Sequence, residues 1–219
     1  MPHSDDEWIG CGFLLINNHM NSKVINMNMP GGDSKEIHEK RLMEAQEIAR
    51  NIGYDFITVN DREEELYQII VKEKPSCIFV PSCIDWHEEH FKVMEILKKA
   101  AVRANYSGYV GMYQVSIPIP ETLINSGTRI SNSDLRRKWR ILPQYYRTQK
   151  FIPTFRFAMN EYINGKISGS YALESYGIFK FDEWINVLDK YIPSLEDRRF
   201  LKENINNIRK LRRWLKTKG

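Results

Sequence analysis

Between residues 23 and 117 the chain alternates short apolar segments with longer segments of helical periodicity. Four segments rich in β-branched and aromatic residues are separated by three amphipathic ones. This alternation is typical of parallel strands joined by crossover helices. The sequence therefore predicts an α/β fold, specifically a doubly wound, Rossmann-like three-layer α/β/α arrangement with a mostly parallel sheet. In such sheets, ligand sites lie at the carboxyl ends of the strands.

The predicted elements begin with a helix rather than with a strand. Strands are predicted at 23–28, 54–60, 76–82 and 108–117, and helices at 7–17, 35–51, 63–74 and 86–105. A central strand would be expected to lead into the loop before the first helix, and no apolar segment of that kind stands there. We therefore expect that the natural chain begins upstream, and that His3 is poorly anchored if it does not.

Beyond the fourth strand the alternation stops. The segment SNSDLRRKWRILPQYYRTQ (131–149) predicts a helix that is capped by Ser131 or Ser133 and bent near Pro143. Helix and loop alternate irregularly over residues 152–193. The later part of the chain is thus predicted to be mainly helical.

The 219 residues are enough for one sizeable domain with an appendage. We predict an α/β domain over residues 1–150 and a helical C-terminal extension over residues 151–219 that packs on the same domain. No apolar run approaches the roughly 18 residues that a membrane-spanning helix needs. The three cysteines form no CxxC pair, which favours buried thiols and a reducing, cytoplasmic location.

The C-terminal stretch is strongly basic. Residues 196–219 contain nine lysines and arginines against three acidic residues, whereas the whole chain carries a net charge of +4. Residues 195–215 predict one amphipathic helix with a basic outer face. We favour a solvated helix that docks its apolar stripe on the domain. Contact of residues 195–218 with anionic lipid headgroups and nucleic-acid binding are the alternatives, and no nucleic-acid partner is expected.

Two clusters of polar residues lie where the predicted fold places ligand sites. One contains His3, Asp5, Asp6 and Glu7; the other is DWHEEH, with its two histidines at the start of a helix. A hydrolytic zinc site needs three protein ligands, an open position for water and a nearby carboxylate base. Both clusters are expected at the same rim of the sheet.

Each cluster by itself has a simpler interpretation. Acidic residues are favoured at a helix N-terminus by the helix dipole, and HEEH is also an ordinary polar first turn. The occurrence of both clusters at predicted strand ends of one sheet favours a metal-dependent hydrolase over these alternatives.

The two clusters also resemble the motifs of a known family. PHSDDE is similar to the PHPDDE signature of the PIG-L/LmbE-like zinc-dependent N-deacetylases, and HEEH is similar to that family's HxxH segment. Further segments resemble the family in the same order along the chain: KRLMEAQEIARNIGY (40–54), KPSCIFVPS (74–82), ISNSDLRRKWRILPQYYRTQ (130–149) and ALESYGIF (172–179). The resemblance therefore extends over most of the chain.

The resemblance implies roles for the matching residues. His3, Asp6 and His90 would bind one divalent ion, Zn²⁺. Asp5 would act as the general base. His87 would lie beside the substrate carbonyl and stabilise the oxyanion or protonate the leaving amine. The implied activity is removal of the acetyl group from an N-acetylglucosamine-type sugar or conjugate.

Further residues are implied as substrate contacts or as supports of the ligands. Arg41 and, more weakly, Asp61 would contact the substrate, while Glu7 and Glu89 would orient metal ligands from the second coordination sphere. Ser4 replaces the family's proline, and Glu88-Glu89 replaces Pro-Asp in the second motif. The alternative function is a catalytically weakened or non-catalytic sugar-binding or interaction protein with the same fold.

Overall fold

The computed structural model describes residues 1–149 and 152–218, so the predicted boundary at residues 150 and 151 lies outside the described residues. The strands are β1 (Lys23–Asn26), β2 (Asp55–Thr58), β3 (Cys77–Pro81), β4 (Tyr109–Tyr113), β5 (Ser126–Ile130) and β6 (Ala172–Lys180). The helices are α1 (Asp6–Asn18), α2 (Lys35–Ile52), α3 (Arg62–Glu73), α4 (Glu88–Arg103), α5 (Asn132–Tyr145), α6 (Thr154–Ile167), α7 (Phe181–Tyr191), α8 (Leu195–Glu203) and α9 (Ile208–Lys218). The predicted alternation is confirmed from α1 to β4.

The strands form two sheets that are partly parallel and partly antiparallel. β1 and β2 pair in parallel, with Lys23 opposite Asp55. The other sheet has the strand order β3-β4-β6-β5, in which β3 and β4 are parallel and β4 and β6 are antiparallel. The mixed α/β class is confirmed, whereas the single, mostly parallel sheet is not.

Two strands were not predicted from the sequence, β5 and β6. β5 has the sequence SGTRI and is mostly exposed, so it shows no apolar pattern. β6 is buried over most of its length, but it carries the polar residues Glu174 and Ser175 among its buried positions. Residues 151–219 therefore contain a nine-residue strand in addition to the predicted helices.

The described residues form two compact units. One unit consists of Met1–Thr58 and Gly127–Ser175, and the other consists of Val59–Ser126 and Tyr176–Gly219. Among the described helices, none has both the length and the apolar character that a membrane span requires.

In the first unit, α2 begins and ends within one residue of the prediction, whereas α5 begins as predicted but ends at Tyr145, four residues before the predicted end. Ser34 caps α2 by accepting a hydrogen bond from the backbone N–H of Ile37 at 3.3 Å. Gly53 ends that helix with φ of 95°, a left-handed conformation that glycine adopts without strain. The cap of α5 is Ser131, whose hydroxyl accepts from the N–H of Asp134 at 3.2 Å.

In the second unit, the predicted helix over 195–215 is two helices. α8 ends at Glu203, and α9 starts after Asn207, whose side chain accepts a hydrogen bond from the N–H of Lys210 at 3.0 Å. Asparagine competes for backbone hydrogen bonds and favours caps over helix interiors, so the asparagines at 204, 206 and 207 explain the interruption. The apolar stripe is nevertheless buried at Leu201, Leu211 and Leu215.

Gly165 on α6 provides a test of the packing in the first unit. A Cβ atom at this position would lie 2.3 Å from the Cα atom of Ala172, a backbone atom that cannot move aside as a flexible side chain can. We expect Gly165→Ala to lower the free energy of unfolding in urea by about 1–3 kcal/mol, despite the better helix propensity of alanine. Ile167→Ala, at an exposed position of the same helix, is the control and should change stability by less than about 0.5 kcal/mol. Equal effects of the two substitutions would contradict this account.

Candidate functional site

The loop that carries the N-terminal cluster is held by strand β1. The amino group of Met1 donates to the carbonyl oxygen of Ile25 at 2.7 Å, and the N–H of Met27 donates to the carbonyl oxygen of Met1 at 2.9 Å. The N–H of Met29 donates to Pro2 at 3.4 Å. Met1 thus donates to the residue before Asn26 and accepts from the residue after it, which is the hydrogen-bond pattern of parallel strands. The expectation that His3 is poorly anchored is therefore wrong for the described residues.

Ser4 adds two further attachments to the same loop. Its hydroxyl accepts a hydrogen bond from the side-chain amide of Asn26 at 3.2 Å, and its carbonyl oxygen accepts from the side-chain amide of Gln149 at 3.2 Å. The hydroxyl of Ser4 thus links the loop to β1.

His3 and Asp6 lie together in this loop. The backbone N–H of His3 donates to Asp6 Oδ2 at 3.0 Å, and His3 Nδ1 lies 3.3 Å from the same oxygen. The Asp6 side chain is buried, while 13% of the His3 side chain is exposed. One imidazole and one carboxylate, both suitable as zinc ligands, are therefore adjacent.

Asp5 is a buried carboxyl group next to two other acids. Burial raises the pKa of Asp5 well above its usual value, and the charges of Asp6 and Glu7 raise it further. The positive charges of His3 and Arg41 act in the opposite direction. A carboxylate in such surroundings holds a proton more strongly than an exposed one, which suits a proton acceptor.

Glu7 points to a different partner. The hydroxyl of Tyr146 donates to Glu7 Oε1, and both side chains are buried. Burial raises the pKa of Glu7 to about 7, although the Tyr146 hydrogen bond lowers it. Tyr146 holds this acid in place, a role that the sequence did not predict because the two residues are far apart along the chain.

Arg41 forms an ion pair with the loop that follows β1. Its Nη1 lies 2.6 Å from Asp33 Oδ2. Its Nε is buried and has no hydrogen-bond partner among the described residues, so one donor of the guanidinium fork is available to a ligand. Since Arg41 lowers the pKa of Asp5, its charge acts on the N-terminal cluster.

In the second unit, Asp85 organises the histidine cluster. Asp85 Oδ1 accepts from the backbone N–H groups of Trp86 at 2.6 Å and His87 at 3.1 Å. Asp85 Oδ2 lies 2.9 Å from Nδ1 of His90, and both side chains are 1% exposed. An ionised aspartate accepts a hydrogen bond from Nδ1–H and thereby favours the tautomer whose lone pair is on Nε2. This is the usual environment of a metal-binding histidine.

His87 is fixed by the start of α4. As the N-cap residue, it accepts a hydrogen bond at Nδ1 from the backbone N–H of Glu89 at 3.3 Å. Its ring stacks on that of His90, with the ring centroids 5.1 Å apart. The Nδ1 atoms of both histidines are therefore engaged, that of His90 by Asp85 and that of His87 by the N–H of Glu89.

Two predicted supporting residues have less definite surroundings. Asp61 is exposed and stands before α3, where its side chain makes no capping hydrogen bond. The carboxylate that contacts Nδ1 of His90 is that of Asp85. The sequence analysis does not identify Asp85, although its position two residues before His87, in the loop between β3 and α4, is a usable signal. The roles of Asp61 and Glu89 stay predictions.

No family model matches this chain, and no curated protein sequence matches it either. Solved structures with a similar fold include N,N'-diacetylchitobiose deacetylase from Pyrococcus horikoshii, with a TM-score of 0.63 and 20% identity over 84% of this chain and 83% of that one. The zinc-inhibited form of teicoplanin deacetylase Orf2 has a TM-score of 0.59 and 11% identity, over 82% of this chain and 96% of that one. The chain thus has the fold of the PIG-L/LmbE-like deacetylases, which confirms the resemblance at the level of the fold.

The same fold also occurs with another activity. A 4-carboxy-2-hydroxymuconate hydratase from Pseudomonas putida has a TM-score of 0.61 and 12% identity, over 82% of this chain and 92% of that one. Because one fold carries both activities, the function of this chain must be argued from its own side chains.

The contact between Asp85 and His90 gives a direct test of the histidine cluster. We expect Asp85→Asn to weaken zinc binding about 10–100-fold, because an amide is a weaker acceptor for Nδ1–H and leaves Nε2 less basic. Competition with a chromophoric chelator measures the affinity. Glu88→Gln, in the exposed first turn of the same helix, should leave it unchanged. An unchanged affinity in Asp85→Asn would show that His90 binds no metal.

Proposed function

We propose that this protein is a zinc-dependent N-deacetylase that hydrolyses the acetamide group of an N-acetylglucosamine-type sugar or glycoconjugate. The observation that carries the proposal is the buried pair of Asp85 and His90, in which the aspartate holds Nδ1 of the histidine and so fixes the orientation of its ring. A histidine buried only for packing does not need a buried carboxylate with two further backbone hydrogen bonds. The fold shared with deacetylases supports the same proposal.

The proposed ligands of one Zn²⁺ ion are His3, Asp6 and His90. Two imidazole nitrogens and one carboxylate oxygen form a typical ligand set of hydrolytic zinc sites and leave one position open. The chemistry of the donors fits, since Asp6 is buried beside His3 and Asp85 supports His90. Bound zinc would supply a Lewis acid and a lowered pKa for the attacking water.

The chain's own residues account for the remaining steps. Asp5 accepts the proton of the attacking water as its oxygen forms a bond to the acetyl carbon. His87 donates a proton to the amide nitrogen as the carbon–nitrogen bond breaks, so that acetate and a free amine leave. Both proton transfers, from the attacking water and to the amide nitrogen, are needed because an amide is a weak electrophile with a poor leaving group.

Substrate binding is assigned to Arg41 and Asp61. The unpaired, buried Nε of Arg41 is a donor for a sugar hydroxyl, and the ion pair with Asp33 fixes the direction of the guanidinium group. Asp61 offers an exposed carboxylate that can accept from another hydroxyl.

The metal content of variants tests whether His3 and His90 bind the same ion. We expect one zinc per chain in the purified protein and almost none in either His3→Ala or His90→Ala, because each variant removes one of three ligands of the same ion. Elemental analysis after dialysis measures this. His38→Ala is the control, since His38 lies on α2 and its Nε2 contacts Oδ1 of Asn28, in the loop after β1, at 2.7 Å. If each variant kept about half of the metal, the two clusters would bind separate ions and the proposal would be wrong.

The reaction is tested by acetate release from a panel of free, oligomeric and lipid-linked N-acetylglucosamine compounds. Assays use one equivalent of zinc, because a protein of similar fold has a zinc-inhibited form. We expect Asp5→Asn to lower kcat by about 10²–10⁴-fold with unchanged zinc content, since only proton acceptance is lost. Asp55→Asn, an exposed aspartate on β2, serves as the control.

Two outcomes contradict the proposed mechanism. Near wild-type kcat in Asp5→Asn excludes this residue as the base. Saturable sugar binding by the zinc-loaded wild type, without acetate release from any compound of the panel, would instead support the non-catalytic sugar-binding alternative.

A further inference from the structure

Helix α1 is broken immediately after the N-terminal cluster. Cys11 has φ of −132° and ψ of 17°, outside the helical region, and glycines stand on both sides of it. A break inside a helix leaves carbonyl oxygens at the end of its first segment and N–H groups at the start of its second without helical partners. Because this part of α1 is buried, those groups need partners from elsewhere in the protein.

A buried lysine and a buried glutamate provide these partners. In an uninterrupted helix, the N–H of Phe13 would donate to the carbonyl oxygen of Ile9. Here, Lys138 Nζ donates to the Ile9 oxygen at 3.0 Å. The N–H of Phe13 donates to both carboxylate oxygens of Glu174, at 3.1 and 3.0 Å. The N–H of Leu14 also donates to Glu174, at 3.0 Å.

Lys138 and Glu174 are also bonded directly to each other, so their ion pair bridges the break. The ammonium group of Lys138 contacts the partial negative charge at the end of the first segment. The carboxylate of Glu174 contacts the partial positive charge at the start of the second segment. Both charges have the sign that the helix dipole favours. The ion pair therefore stabilises the broken form of α1 relative to a continuous helix.

Glu161 completes the network. It accepts from Lys138 Nζ at 2.6 Å and from Trp139 Nε1 at 2.7 Å. Burial raises the pKa of Glu161 to about 7, whereas the charge of Lys138 lowers it. The side chains of Lys138, Glu161 and Glu174 are at most 2% exposed. Buried charges of this kind are poor contributors to stability compared with apolar residues of the same size, so another reason for them is required.

We propose that Lys138 and Glu174 are positioning residues: by holding the break at Cys11 they set the direction of the segment Asp6–Gly10 and of the acids that begin it. This inference rests on the proposed function, because the acids concerned are the proposed ligand Asp6 and the proposed base Asp5. If α1 were to straighten, the first segment would rotate about the helix axis and carry these carboxylates with it. Neither positioning residue touches substrate or metal.

The test uses Glu174→Gln and the charge-free triple variant Lys138→Met, Glu161→Gln, Glu174→Gln. The triple variant keeps side chains of similar volume and leaves no unpaired buried charge, but it removes the donor to the Ile9 carbonyl oxygen, so it is expected to fold with a urea midpoint moderately below that of the wild type. We expect its zinc affinity to fall at least about tenfold and its kcat to fall at least about tenfold, with KM within about twofold. Amide hydrogen exchange of Phe13 and Leu14 should also accelerate in both variants.

The matched control has the same chemistry at the surface. Lys35 and Glu39 form an exposed ion pair on α2, and Lys35→Met with Glu39→Gln should change none of these measurements. A folded triple variant with zinc affinity and kcat within twofold of the wild type would overturn the proposal.

The two proposals can fail separately. A wild-type protein that binds zinc but releases no acetate refutes the deacetylase function, while the zinc affinity of the triple variant still decides whether Lys138 and Glu174 position the acids. Active wild-type protein with an equally active triple variant refutes the positioning role alone. A wild-type protein that binds no zinc refutes both.

Discussion

The backbone pairing of Met1 and Pro2 with the end of β1 is the contact on which the N-terminal cluster depends. Three backbone hydrogen bonds join these two residues to β1 and the residues that follow it, and Ser4 adds a side-chain contact with Asn26. A loop held in this way leaves the strand end in a defined direction, which a freely moving terminus would not do. The acids that follow can therefore be buried together despite their mutual repulsion.

On its C-terminal side, the position of the same loop is fixed by the break in α1 at Cys11. Strand pairing fixes where the cluster begins, and the ion pair of Lys138 and Glu174 fixes where the first helical segment ends. Between Pro2 and the break at Cys11 lie only eight residues, so little freedom is left for the carboxylates of Asp5 and Asp6. The cost of burying the ion pair is offset by hydrogen bonds to helix ends that would otherwise stay unsatisfied.

Local signals in the sequence predict the helices of the first unit well. Ser34 and Gly53 delimit α2, and Ser131 starts α5, because caps act on groups within four residues of them. The sequence likewise places His87 and His90 at the start of a helix, as α4 shows. Other features depend on residues far apart along the chain. Glu174 accepts a hydrogen bond from Phe13, 161 residues away along the chain. No local pattern predicts a strand whose buried positions include polar residues such as Glu174 and Ser175. The antiparallel pairing of β6 was missed for the same reason.

Asp85 and Glu174 solve the same physical problem in different places. Each is a carboxylate withdrawn from water, and each directs its oxygens at N–H groups whose orientation matters: the Nδ1–H of His90 for one, and the N–H groups at the start of a helix segment for the other. A carboxylate is suited to this task because it only accepts hydrogen bonds, so it selects one tautomer and one helix geometry. Solved structures similar to this fold carry different reactions, so the fold alone does not set the chemistry. The chemistry of this chain is therefore decided less by its sheets than by the few buried acids that orient the groups at their ends.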